Sequence, residues 1–83
     1  MAYLRFCDVV RYRFPEIFGE DPLMVVNDPG TPDGDTCIIT VLDSELSIKP
    51  VYTLPKDSLR VLGQTSAYES IDNIIQKFTL PHR

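Results

Sequence analysis

The sequence has no tryptophan and a single histidine, His82. It carries only two cysteines, Cys7 and Cys37, set far apart. Each scarcity removes a class of chemistry. One histidine next to the chain's last residue is a poor partner for a serine or cysteine nucleophile, so no catalytic residues are assigned and the expectation is a non-enzyme. Two separated thiols and that histidine fall short of the paired ligands a zinc site needs, and no cofactor is expected. No apolar run approaches the roughly 20 residues that span a bilayer, which argues against a membrane partner. The opening "MAYLRF" lacks a basic region followed by an apolar stretch, so a cytoplasmic location with reduced, partly buried thiols is expected.

A further absence is one of charge. Between Phe14 and Ile48 there is no lysine or arginine, whereas Glu16, Glu20, Asp21, Asp28, Asp33, Asp35, Asp43 and Glu45 all fall there. The basic residues lie outside: Arg5, Arg11, Arg13, Lys49, Lys56, Arg60, Lys77 and Arg83. A net charge of −4 discourages attraction to phosphate backbones, and its segregation creates an acidic block between basic flanks.

What is present reads as one small domain of 83 residues. A chain of this size buries only about 60% of the surface its unfolded form exposes, so its stability is modest and partner binding would add to it. "FCDVVRYRF", residues 6–14, is rich in branched and aromatic residues and reads as a strand, with Phe6, Val10, Tyr12 and Phe14 on one face. Asp8 falls on that apolar face and interrupts it. "PEIFGED" has the proline start and glycine stop of a single helical turn. "PLMVVND", residues 22–28, and "TCIITVLDSE", residues 36–45, read as two strands joined by "NDPGTPDGD". In that loop Asp33-Gly34 is suited to positive φ and Pro29-Gly30 to a turn one step earlier. Asp28, Asp33 and Asp35 have the ligand chemistry for calcium, but their spacing places Gly30 and Pro32 where an EF-hand wants acids, so the loop reads as a solvated turn.

"IKPVYTL", residues 48–54, reads as an edge or bulged strand because Pro50 cannot donate to a ladder. "PKDSL" has room for one tight turn, and "RVLG", residues 60–63, closes the series. The C-terminal segment changes period. Ser66 with Glu69 has capping-box spacing, and Tyr68, Ile71, Ile74, Ile75 and Phe78 share one face, which predicts a helix over 66–78.

The strand "DVVRYR" and the ending "VYTLPKDSLRVL", a strand, tight turn and final strand, resemble an SH3-like β-barrel of KOW-like or Tudor-like type. The resemblance covers roughly residues 6–63. It implies a mainly β, five-stranded barrel over residues 4–64 with a C-terminal helix. An open α+β sheet satisfies the same string.

KOW-like barrels suggest nucleic-acid binding, for which Arg5, Arg11, Arg13, Lys49 and Arg60 are the candidates, and the net charge disfavours it. A Tudor-type cage would draw on Tyr12, Phe14, Phe18 and Tyr52, rings that pack more commonly than they bind. The leading expectation is a non-enzymatic interaction module. Its acidic surface, Glu16, Glu20, Asp21, Asp28, Asp33, Asp35, Asp43 and Glu45, with Phe18 and Leu23 as apolar anchors, binds or masks a basic surface on a larger protein. In its sharper form it mimics nucleic acid and inhibits; in its plainer form the acids only solubilise. A third expectation is a homo-oligomer formed through the apolar face of the helix.

Overall fold

The computed structural model describes residues 3–79. Five strands, β1 (Asp8–Tyr12), β2 (Met24–Asp28), β3 (Thr36–Val41), β4 (Val51–Pro55) and β5 (Leu59–Gln64), form one antiparallel sheet in the order β4-β3-β2-β1-β5. Helix α1 (Pro15–Phe18) lies between β1 and β2, a 3₁₀ turn (Lys56–Ser58) joins β4 to β5, and α2 (Ile71–Thr79) follows. The chain is therefore mainly β, with β4 and β5 as the two edges of an open sheet. No helix among the described residues is long and apolar enough to cross a membrane.

The central strands are buried on both faces, which explains why their sequences run apolar instead of alternating cleanly. On one face Val10 and Tyr12 of β1, Met24 and Val26 of β2, Cys37 and Ile39 of β3 and Leu59 of β5 pack with Leu4. On the other, Val9, Leu23 and Leu42 pack against Ile74 of α2, with Val25, Leu62, Ile75 and Phe78 around them. The helix thus covers one side of its own sheet. Its amphipathic face supplies the apolar cover that a nine-residue helix needs to be stable.

Two bulges adjust the alternation. Val9 faces Gly63 while Val10 faces Val61, leaving Leu62 as the extra residue on β5, and Asn27 plays the same part on β2. The bulge at Leu62 turns that side chain toward the helix.

Several local expectations are corrected. The helix begins at Ile71, not at Ser66: Glu69 N–H bonds Ser66 O (3.2 Å) in a preceding turn, and the N-cap is Ser70, whose Oγ accepts the Asn73 N–H at 3.2 Å. Tyr68 precedes the helix and is 98% exposed. On β1, Phe6 and Phe14 lie outside the strand and are exposed, whereas Asp8 is buried. Its carboxylate is kept there by the Arg5 N–H (2.8 Å), the Gln64 amide (3.3 Å) and the Arg5 guanidinium (3.8 Å). Burial of this polar group is tolerated because it is bonded.

In the β2–β3 loop the positive φ belongs to Gly30 (74°), not to the Asp33-Gly34 pair. A β-carbon at Gly34 would lie 2.9 Å from Thr31 Oγ1, so a larger residue there would require the Thr31 side chain to shift. Gly34 N–H bonds Thr31 O (3.0 Å), closing a turn with Pro32 second, and the Asp28 carboxylate accepts the Gly30 N–H (2.9 Å).

Candidate partner-binding surface

Strand register divides the acidic block. At one end of the sheet the β1–β2 and β3–β4 connections are tied together, because Leu42 N–H bonds Leu23 O (2.8 Å), Leu23 N–H bonds Asp43 Oδ2 (3.2 Å) and Val41 N–H bonds Pro50 O (2.9 Å). That end holds Glu16, Phe18, Glu20, Asp21, Asp43 and Glu45. Asp28, Asp33 and Asp35 lie at the other end of β2, about 15 Å away by strand rise. The eight acids are two end-patches, not one continuous surface.

Nor are they all without counter-charge. Arg11 reaches across from β1 and bonds both Asp21 O and, at 3.9 Å, the Asp21 carboxylate. Asp28 and Asp43 are engaged by backbone N–H groups. Lys56 enters the second patch, donating to Thr31 O at 2.7 Å, while its own N–H bonds Asp35 O (2.8 Å). There Tyr3, Leu4, Pro29, Pro32 and Lys56 line an open cleft of about 550 Å³ edged by Asp33, Asp35 and Asp57. No group of three or more metal-ligating side chains occurs among the described residues. His82 lies outside the described residues.

Leu23 is corrected as an anchor: it is fully buried in the cluster under α2. Leu23 precedes β2 directly and extends its buried apolar run, with its side chain on the α2 side of the sheet. Phe18 is half exposed and stacks on Tyr12 with ring centroids 4.0 Å apart and 14° between planes. Rings this close leave no gap for a cation between them, so this pair is packed and does not form two walls of a cage.

Burial pushes the Tyr12 hydroxyl above its ordinary value of 10.0, with the Glu20 carboxylate and then the Tyr52 hydroxyl acting in the same direction. The fold therefore brings Tyr12, Phe18, Glu20 and Tyr52 into one neighbourhood. Burial raises the Cys37 thiol too, opposed by Lys56. Both cysteines are free and buried.

Sequence reasoning missed the apolar half of the first patch. Ile17, Leu46 and Ile48 are 72%, 61% and 87% exposed, and they sit among Glu16, Asp43 and Glu45. The signal was legible as apolar residues inside otherwise polar loops, "PEIFGED" and "DSELSIK".

The basic candidates are divided: Arg11 and Arg60 share one face of the β1–β5 pair with Arg13 just beyond, whereas Arg5 and Lys49 lie apart from them. Arg5 pairs with Asp8 before β1, Arg11 with Asp21, and Lys49 bonds Ser44 O in the β3–β4 connection. Arg13 follows β1, and Arg60 is the cross-strand partner of Arg11. The apolar face of the helix is divided: Ile74 is buried, Ile75 and Phe78 half-buried against the sheet, and Ile71 partly exposed. In comparisons with known proteins, the chain matches no family model, no curated protein and no solved structure.

Proposed function

We propose that this chain is a non-enzymatic interaction module that docks a basic surface of a larger protein at the end of the sheet formed by the β1–β2 and β3–β4 connections. The observation that carries this is the mixture there of exposed Ile17, Phe18, Leu46 and Ile48 with Glu16, Glu20 and Glu45, carboxylates that make no ion pair among the described residues. Apolar side chains supply the desolvated centre of an interface, and surrounding charge selects and steers the partner. Solubility alone would account for the acids but not for isoleucines at 72% and 87% exposure beside them.

An SH3-like arrangement of the strands is part of this reading. The strand order and the 3₁₀ turn between the two edge strands support it, as does the bond from Arg13 N–H to Ser58 O (2.8 Å) that ties the turn to the end of β1.

The test is a salt-dependent pull-down from native cell extract with two baits, the parent and a Glu16→Lys, Glu20→Lys, Glu45→Lys variant. A basic protein retained by the parent, released by salt and lost from the variant is the expected result. Equal capture by both baits overturns the proposal. Nucleic acid captured by the parent and resistant to protease would instead favour the reading built on Arg5, Arg11, Arg13, Lys49 and Arg60.

A further inference from the structure

Edge strands usually carry charge, because an unpaired row of backbone groups is a template for another strand. The segment Pro50–Pro55 of edge strand β4 has no charged residue, and Val51 and Tyr52 are each 54% exposed. The other edge, β5, carries Arg60 and a bulge.

The register shows which backbone groups are free. Val41 N–H bonds Pro50 O and Lys56 N–H bonds Asp35 O, and paired residues keep this alternation along the ladder. Pro50, Tyr52, Leu54 and Lys56 therefore turn their backbone groups toward β3. Val51 and Thr53 turn theirs outward, and Pro55 offers only a carbonyl. Side chains separate by the same parity: Tyr52 is opposite Ile39 and Leu54 opposite Cys37, on the side of the Tyr12 cluster.

The two ends of β4 meet the two acidic patches. Asp43 and Glu45 lie in the connection leading into Val51, with Glu20 close enough to act on the Tyr12 hydroxyl alongside Tyr52. Asp33, Asp35 and Asp57 surround the exit at Pro55. Lys49 and Lys56 belong to the same two ends, but each ammonium donates to a loop carbonyl.

We propose that β4 is a strand-addition site: an extended segment of a partner pairs with the outward groups of Val51 and Thr53, and basic residues on both sides of that segment reach the acidic patches at the two ends. Backbone pairing supplies affinity without sequence preference, and the charges at the ends supply selection. The charge requirement rests on the acidic reading above; the pairing does not.

The experiment uses a synthetic peptide, Arg-Arg-Thr-Val-Thr-Val-Thr-Arg-Arg, and a second in which serine replaces every arginine. Affinity is read by fluorescence anisotropy, and amide exchange is followed residue by residue. The basic peptide is expected to bind and to slow exchange at the Val51 and Thr53 amides, and Thr53→Pro is expected to weaken it by about tenfold or more. That variant removes an outward donor and no ladder bond, as edge strands tolerate. Should the variant not fold, protection of the two parent amides still decides the matter.

Equal binding of the serine peptide, with the same amides protected, would support strand addition and overturn the acidic reading. Binding of the basic peptide without protection of those amides would overturn strand addition and leave the acidic reading standing. Failure of both peptides to bind overturns strand addition, as does protection of the same amides by concentration-dependent self-association, which would assign the edge to a second copy.

Discussion

The ring of Phe78 lies directly over Gly63: a β-carbon at that position would stand 2.8 Å from Phe78 Cε1. The contact joins the last turn of α2 to β5 beside the bulge residue Leu62. Gly63→Ala is expected to lower stability by about 1–3 kcal/mol through overpacking, and Phe78→Leu is expected to recover part of the loss. Urea unfolding of the two single variants and the double variant measures the coupling. Additive effects would mean that the ring does not hold this position.

Ile74 and Ile71 separate the buried and exposed parts of the helix face. Ile74→Ala should cost about 2–4 kcal/mol, because the side chain packs with Val9, Leu23 and Leu42. Ile71→Ala should change stability by only about 0.5 kcal/mol. Thermal unfolding distinguishes them, and light scattering on Ile71→Asp reports whether the exposed remainder of the face mediates self-association.

Two glycines share a left-handed conformation but differ in their surroundings. Gly19 (φ 73°) has open space where a β-carbon would lie, and Gly30 (φ 74°) would place one 2.6 Å from Thr36 O. Gly19→Ala should cost about 1 kcal/mol, the conformational penalty alone. Gly30→Ala should cost distinctly more, because the hairpin backbone must move. Denaturant midpoints of the two variants test the difference.

Tyr12 links stability to alkaline pH. Its hydroxyl is raised in the folded chain, so the unfolded chain loses this proton first as pH rises. The stabilisation is complete below the ordinary value of 10.0 and is lost as pH climbs through the folded value. Stability should therefore fall more steeply above about pH 10 in the parent than in Tyr12→Phe. Ultraviolet titration of the phenolates should show a late-ionising component that Tyr12→Phe removes.

Asp8 breaks the apolar face of its strand yet is buried, so its replacement tests whether its hydrogen bonds compensate. Asp8→Ala should destabilise by about 1–3 kcal/mol, since it leaves the Arg5 N–H and the Gln64 amide without this acceptor. Gln64→Ala should cost less, because Arg5 still holds the carboxylate. Chemical unfolding at neutral pH measures both.

Local chemistry made the elements legible. Branched residues in "TCIITV" required a strand, Pro15 and Gly19 bounded a helical turn, and the spacing of Ile71, Ile74, Ile75 and Phe78 required an amphipathic helix. Element order could not say which face that helix would cover, and the capping-box spacing at Ser66 misplaced its start, because Ser70 caps equally well and begins a turn that meets the sheet.

The candidate surface was less legible, for a reason of geometry. Charge segregation is a property of the linear chain, and it determined by itself that Phe14 to Ile48 would be acidic wherever that segment lay. Only the antiparallel register decided that the acids would separate into two patches, since a β-ladder sends consecutive loops to alternate ends of the sheet. Burial of Leu23, exposure of Ile17 and Ile48, and the placing of uncharged β4 between the patches depend on contacts between residues distant in sequence. Such contacts exist only once the strands have paired.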